Sequence, residues 1–517
     1  MPRGANHRAA TAPVWFLSSA ERGNPCTDLT AWTGGNAVRT LIDGEECFHR
    51  IAAELSDVGE GDQVYFAAWA GDPTERLTAR GSAIGELMRA ALDAGASVRG
   101  LFWAPLPGGK PDYVRENEEF ADLLRRRGGV ALFDRRVRLL GSHHQKFVVI
   151  RRPNRPAADV AFLGGIDPCP SRRDDDAHRG DPQVQDSIAA AFGDRPPWHD
   201  VQIAVRGPAV AEVEVCFRER WQDVRAAPLD SIRRSAEREE LPAQLPAPPR
   251  CGGHAVQLLR TYPRKVPAYR FAPRGERSIA RGYAKALANA RDHVYVEDQF
   301  LWSPVVAETF AEALRSAPEL RLVAILPHQP DKDDPLQLAV NAVAQRRALD
   351  LLEEAGGERV DFFELVNHEH VPIYVHSKLC LVDDTWATAG SANLNRRSWT
   401  YDSELAAAVA DEQDSGESPT FAREFRLRLW REHLQRAEGD EADLLDARKG
   451  IGVLRRSAAD LEAWYASGRI APRPPGHLRL HHRPAANRAT RAWVRPLART
   501  IVDPDGRPRK LRRNDDW

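Results

Sequence analysis

His376-Ser377-Lys378-Leu379-Cys380-Leu381-Val382-Asp383, followed by Gly390-Ser391-Ala392-Asn393 and Asp402-Ser403-Glu404, is the stretch from which the rest of the chain can be read. It sets an imidazole and an ammonium two residues apart at the head of the strand-forming run Leu379 to Val382. On a strand such residues point to one face, so His376 and Lys378 can meet one anionic group side by side. An earlier stretch repeats the arrangement as Ser142-His143-His144-Gln145-Lys146, then Phe147-Val-Val-Ile150, then Gly164-Gly165-Ile166-Asp167. Sixteen histidines and eight lysines in 517 residues lead to about 0.25 chance His-x-Lys coincidences. Two occur, in a chain that uses arginine for nearly all its other positive charge, so a compact ammonium is wanted at both places.

The pattern around each pair is the same. In the first half residues 45–58 predict a helix, 63–69 a buried strand, 83–94 a helix and 97–103 a strand. In the second half the same order recurs, with helices over 278–290 and 305–316 and strands over 293–297 and 320–326. This alternation is the grammar of a largely parallel α/β sheet covered by helices, and its recurrence is an internal duplication. The boundaries read as an N-terminal extension 1–36, a first domain 37–230, a linker 231–254, a second domain 255–436 and a C-terminal extension 437–517. The linker lies in a Pro-, Arg- and Glu-rich stretch that includes Leu241-Pro-Ala-Gln-Leu-Pro-Ala-Pro-Pro249, which cannot continue a helix. Residues 167–198 predict a long loop beside the first motif. The tail ends on Arg507-Pro-Arg-Lys-Leu-Arg-Arg513, a solvated charge run or an arm toward anionic headgroups.

Composition narrows the partners. Seventy-three basic against 74 acidic residues leave a formal charge of -1, so no global field recruits nucleic acid. Six cysteines show no paired spacing of a zinc site or disulfide framework and read as reduced thiols. The short apolar run Ala12 to Leu17 is no signal-peptide core, and no window of eighteen apolar residues spans a bilayer. The expectation is a soluble, cytoplasmic, monomeric protein, peripheral at a membrane surface.

The second motif resembles the signature of the phospholipase D superfamily residue for residue. The first motif with its glycine pair, together with Trp198-His199-Asp200, Gly207-Pro208, Phe217-Arg-Glu-Arg-Trp221 and Tyr295-Val-Glu-Asp-Gln-Phe300, is similar to the lipid-hydrolysing branch. The resemblance covers residues 43–432. It implies two tandem phospholipase D-like α/β domains packed as a pseudo-twofold pair around one shared active site. It further implies that His144 attacks phosphorus to form a phosphohistidine and that His376 is the general acid. Lys146, Lys378 and Asn393 would then meet the non-bridging oxygens in place of a metal ion or any other cofactor. Each imidazole needs a carboxylate to fix its tautomer; Asp167 is the expected partner of His144, and Glu404 of His376. Asp383 completes the catalytic set, and Gly165, Ser391, Glu297 and Gln299 are expected to contact substrate, while His199 and Asp200 read as structural.

One departure stands out. Seven residues after His144 comes Arg151 where the pattern wants Asp. Six extra residues, 151–156, predict a longer hairpin turn, and Asp159 is the candidate to occupy the missing place. Trp69, Phe102, Trp103 and Trp302 follow strands and either pack the core or line an acyl or headgroup pocket. The resulting reading is a phospholipase D-type phosphodiesterase acting on glycerophospholipids. The alternatives are a nuclease or other phosphodiesterase of the superfamily, a cardiolipin synthase-like phosphatidyltransferase, and a scaffold with a decayed site.

Overall fold

The computed structural model describes residues 12–105, 113–183, 188–225, 240–331, 335–413, 420–483, 502–513 and 516–517. The expected helices and strands form within a residue or two of where hydrophobic periodicity places them. In the first half β1 (Thr33–Ile42) leads into helix Asp43–Ser56, and β2 (Gln63–Ala68), β3 (Ser97–Trp103) and β4 (Val130–Asp134) alternate with helices Ile84–Asp93 and Val114–Arg125. Then come β5 (Phe147–Arg151), β6 (Val160–Gly164), β7 (Trp198–His199), β8 (Val201–Arg206) and helix Ala209–Arg225. The second half opens with β9 (His254–Tyr262), β10 (Glu276–Arg277) and helix Ser278–Asn289. It continues through β11 (His293–Asp298), helix Pro304–Ser316, β12 (Arg321–Ile325), helix Pro335–Gly356 and β13 (Val360–Leu365). After these come β14 (Tyr374–Val375), β15 (Lys378–Val382), β16 (Trp386–Gly390), β17 (Glu404–Asp411) and helices Phe421–Leu434 and Ala447–Ala466, and β18 (Leu478–Leu480) closes the series.

The duplication is written into the sheet. Its order runs β4-β3-β2-β5-β6-β8-β1 through the first half and then β9-β17-β16-β15-β11-β12-β13 through the second, with β18 added at the edge. Element for element, the second run is the first read backwards, and the antiparallel contact of β1 with β9 joins them. Within this sheet, among the described residues, only β2-β3-β4 and β11-β12-β13 are parallel, the strands linked by helical crossovers. The rest of each half is antiparallel, because β5 to β8 and β15 to β17 return by turns and loops. The sheet is therefore mixed, with less parallel pairing than the sequence pattern suggests.

Strands buried on both faces explain the near-continuous apolar runs. Leu379 and Leu381 share a core with Tyr65, Val149, Leu163 and Ile203 of the first half. Cys380 and Val382 point the other way, into a second core with Ile279, Phe310 and Leu349 of the covering helices. Phe66, Val98 and Phe102 do the same in the first half against Phe48, Met88 and Phe120. The inner core thus belongs to both halves, which brings the two His-x-Lys segments together.

The extensions are partly structural. Trp15, Phe16 and Leu17 bury against the second half. Helix Ala447–Ala466 inserts Ile451 and Leu454 into the shared core, and β18 pairs antiparallel with β13. Of the expected linker, residues 231–239 lie outside the described residues; further on, the Pro242 carbonyl accepts from Arg218 at 2.8 Å. Residues 484–501 of the C-terminal extension also lie outside them, whereas the Asp503 carboxylate accepts from the Arg397 N–H at 2.9 Å. Among the described residues no helix is long and apolar enough to cross a membrane.

Candidate active site

Two short parallel contacts build the site. β14 pairs with β7 through Tyr374↔Trp198 and Val375↔His199, and its counterpart is the parallel bridge His143↔Ser403. Each places the residue before one histidine beside the residue before a carboxylate of the other half. The His376 N–H donates to the His199 carbonyl at 2.8 Å, and the His144 N–H donates to the Ser403 carbonyl at 2.9 Å. The side chains follow. His376 Nδ1 lies 2.6 Å from the Asp200 carboxylate, and His144 Nδ1 lies 3.1 Å from the Glu404 carboxylate and 2.9 Å from the Ser391 carbonyl.

This exchange corrects the expected pairing. Glu404 belongs to His144 and Asp200 to His376, because the segments leading into the motifs cross at the pseudo-twofold axis. Asp167 instead sits 3.3 Å from the Lys146 ammonium and accepts from the Trp69 N–H at 3.0 Å. Asp200, expected to be structural, holds the imidazole of His376, and the duplication carries the signal for it. In both halves the order is His-x-Lys, glycine pair or Gly-Ser, then carboxylate, which aligns Asp200 with Glu404 and Asp167 with Asn393.

The glycine motifs have a steric cause. A Cβ on Gly165 would lie 2.2 Å from the Asp200 carboxylate, and one on Gly390 would lie 2.5 Å from Ala406 Cα. Gly165 therefore makes room for Asp200. Ser391 likewise turns inward, its hydroxyl donating to Glu404. Glu297 is fully buried and bound by His199 at 2.8 Å, His433 at 2.9 Å and the Ser377 hydroxyl at 2.8 Å, which removes it from substrate reach. Gln299 does face the site, accepting from the Lys378 ammonium at 3.0 Å. Buried Asn393 carries an Oδ1 without a partner among the described residues.

Asp383 is corrected too. It directly follows β15, five residues and about 16 Å on from Lys378. Its carboxylate accepts the backbone N–H groups of Arg291, Asp292 and His293 at 2.7, 2.8 and 2.9 Å, which pins the start of β11. Asp159 does not replace it: it accepts from Arg151 at 2.7 Å and from the Arg152 N–H at 2.6 Å, closing its own hairpin. Because Asp383 sits at φ 50, where Asn is also at ease, Asp383→Asn keeps the backbone while removing the charge and turning one of the two accepting oxygens into a donor. The expected result is a stability loss of about 1–2 kcal/mol in chemical denaturation with turnover per folded molecule unchanged.

The electrostatics are uneven. Burial, reinforced by the neighbouring Lys378 ammonium, holds His376 well below the usual histidine range. Burial also brings Lys378 down to about 7, with Lys146 adding to the effect. Although burial works against it, Asp200 is held at about 2 by its contact with His376 and by Lys378. Aromatic rings frame both imidazoles: Trp69 meets His144 edge-on at 6.3 Å and stacks on Trp103 at 5.5 Å, and Trp198 lies 5.0 Å from His376. The Arg172 guanidinium covers Trp198 at 3.8 Å and adds a cation that sequence reading missed. Phe102, by contrast, is core.

Two groups of described residues could hold a metal ion: Asp43, His178, His199 and Glu432, and His199, Glu297 and His433. Within each, one donor atom per residue lies within 4.8 Å of the others. In the first group His199 Nε2 is tied to Glu297, which leaves Nδ1 facing Asp43 at 3.0 Å and Glu432 at 3.0 Å. It stands behind Asp200, whose N–H donates to Asp43 at 3.3 Å. These ligands come from four separate segments, so no local spacing announced them.

A sequence model of the family described as "Phospholipase D" matches residues 121–309, and one described as "Cardiolipin synthase, PLD-like domain" matches residues 283–430. The chain belongs to the phospholipase D superfamily. Its similarity to curated members of the phospholipase D branch is spread over most of its length. It is 26% identical over 469 residues to phospholipase D alpha 4 of Arabidopsis thaliana, covering 72% of this chain and 61% of that one. To phospholipase D A of Dictyostelium discoideum it is 28% identical over 365 residues, or 57% of this chain and 27% of that one. The chain thus spans less than two thirds of either relative. A solved phosphatidylserine synthase of Haemophilus influenzae Rd KW20 aligns with a TM-score of 0.49 and 12% identity over 84% of this chain and 95% of that one.

Proposed function

We propose that the chain is a phospholipase D-type phosphodiesterase that hydrolyses glycerophospholipids, or transfers their phosphatidyl group to another alcohol, through a phosphohistidine. The observation that carries this is the pair of imidazoles, each held by a carboxylate of the opposite half and each followed by a lysine. A carbonyl only accepts, so His144 Nδ1, beside the Ser391 carbonyl, carries the proton and Nε2 is left with a lone pair. His144 Nε2 bonds to phosphorus while the bond to the headgroup oxygen breaks. The departing electron pair takes the proton from His376 Nε2. Water then gives a proton back to His376 as its oxygen bonds to phosphorus, and the P–N bond breaks with its electrons returning to His144. Lys146, Lys378 and the Asn393 amide meet the charge on the non-bridging oxygens. The products are phosphatidate and the free alcohol; with an alcohol in place of water, the product is its phosphatidyl ester.

Purified protein mixed with phospholipid vesicles is expected to release headgroup, and a primary alcohol should divert product to the alcohol ester. A parallel assay on single-stranded DNA tests the nuclease alternative; cleavage of DNA without lipid turnover would overturn the lipid reading. The cardiolipin synthase-like match over residues 283–430 supports phosphatidyl transfer between lipids as a second reading, checked by looking for a two-phosphate product from phosphatidylglycerol.

A pH dependence follows from the two depressed cations. If His376 must carry a proton in the free enzyme, kcat/KM is lost as pH rises through a value below the ordinary histidine range. Lys378 sheds its charge through about 7, which weakens phosphate binding further. The expected profile on a short-chain phospholipid is highest on the acid side, falls already below the ordinary histidine range and falls further as pH rises past 7. A kcat/KM that climbs from pH 6 to 8 would contradict these roles.

A further inference from the structure

A cavity opens beside Gln299, the residue that holds the Lys378 ammonium. It encloses about 340 Å³ and is lined in part by Phe300, Trp302, His328, Asn341 and Gln345. No Asp, Glu, Lys or Arg is among its described lining residues. The wall is aromatic on one side, with Phe300 and Trp302 stacked at 3.8 Å, and amide-rich on the other. Asn341, on helix Pro335–Gly356, is only 3% exposed, and neither its Nδ2 nor its Oδ1 has a partner among the described residues. The Trp302 Nε1–H is buried without a partner as well. His328 is accounted for through Nδ1, 3.0 Å from Glu364, and Gln345 donates to the Phe300 carbonyl at 3.0 Å.

A buried amide with both functions unmet marks a place where something is meant to bind, since each unpaired group costs stability. The chemistry of the missing partner is constrained. Asn341 offers one donating and one accepting face, so its partner must both accept and donate. Beyond the oxygen that leaves phosphorus, a glycerol or inositol headgroup carries hydroxyls that do both, whereas the quaternary ammonium of choline does neither and the primary ammonium of ethanolamine only donates. With no Asp, Glu, Lys or Arg among the described lining residues, a charged headgroup entering here would lose its hydration without an ion-pair partner from them. The flat faces of Phe300 and Trp302 suit the C–H side of a hydroxylated carbon chain.

We infer that this cavity receives the alcohol released from phosphorus, and that it selects uncharged headgroups with hydroxyls beyond the leaving oxygen, such as glycerol or inositol, over choline or ethanolamine. The inference rests on the phosphodiesterase reading for its place in the reaction, with Gln299 connecting the cavity to Lys378. A site built to hydrogen-bond a hydroxyl beyond the leaving oxygen discriminates strongly against headgroups that lack one, because its own polar groups are left unpaired.

Two measurements test it, one of them independent of turnover. In saturation-transfer NMR on the full chain, myo-inositol and glycerol should show contact with the protein and choline should not. Asn341→Leu should abolish the polyol signal, and Asn341→Thr, which keeps a donor and an acceptor, should retain part of it. Choline binding as well as the polyols, or polyol signals unchanged in Asn341→Leu, would overturn the inference even if no lipid were turned over. In vesicle assays kcat/KM for phosphatidylglycerol should exceed that for phosphatidylcholine by at least about tenfold in the native protein. Asn341→Leu should erase that preference while changing the phosphatidylcholine rate by less than about threefold. Equal loss on both lipids would mean that Asn341 only supports the fold. Polyol binding without turnover of any lipid would instead overturn the phosphodiesterase reading.

Discussion

His144→Ala and His376→Ala are each expected to lower turnover by at least about four orders of magnitude, the scale seen when a nucleophile or its proton-transfer partner is removed from a covalent mechanism. The double variant should be little worse than either single one, because the two imidazoles act in the same two steps and their losses do not add. The roles separate when the leaving group is changed. A p-nitrophenyl phosphodiester departs without help from an acid, so His376→Ala should recover most of the first step on that substrate and accumulate a phosphorylated protein. His144→Ala should recover nothing, since no nitrogen is left to attack. Quenching the reaction and assaying acid-labile, base-stable phosphate on the protein reads this directly. A p-nitrophenol burst from His144→Ala and none from His376→Ala would reverse the two roles. Full activity in both variants would remove the shared-site mechanism altogether.

Much of this architecture was legible because it rests on local rules. The run 63–69 reads as a strand since Tyr65 and Phe66 feed two different cores, and helix Ile84–Asp93 follows from its buried stripe at Ile84, Met88 and Ala91. Hydrophobic periodicity says nothing about which strands pair. The sequence pattern therefore suggested more parallel sheet than exists, and β5, β6 and β8 form an antiparallel run whose connections carry no crossover helix. The site residues were legible for a similar reason: His-x-Lys is rare enough to stand out at one short spacing. Their partners were not, since Asp200 and Glu404 are 176 and 260 residues from the imidazoles they hold. Asp383 shows the converse. It lies inside the most recognisable motif, yet the strand carries it to the far end of the sheet, where it serves the backbone of β11. Helix Ala447–Ala466 was missed because its buried positions Ile451, Leu454, Ala458 and Leu461 are interspersed with Arg448, Arg455 and Arg456, which masks an apolar stripe when composition is read without periodicity.

Asp200→Asn and Glu404→Gln carry the second large effect, each expected to lower turnover about a thousandfold or more. An amide of the same shape can keep contact with Nδ1 while failing to fix the tautomer or support the imidazolium. The exchanged pairing makes the two variants distinguishable. Asp200→Asn strips His376 of its only anionic contact among the described residues and leaves it beside Lys378, so the His376 pKa, already depressed by burial, should fall further in a histidine NMR titration. Glu404→Gln should leave that titration in place and act on His144, slowing formation of the phosphorylated protein even with a p-nitrophenyl substrate. Asp167→Asn should do neither, because Asp167 faces Lys146; its effect belongs in KM. If Glu404→Gln moved the His376 titration and Asp200→Asn did not, each half would be holding its own histidine. The parallel contacts Tyr374↔Trp198 and His143↔Ser403 argue against that, since they hand each imidazole across the pseudo-twofold axis. On this geometry neither half can assemble a working histidine alone, which gives a physical reason for two weakly similar halves to stay in one chain.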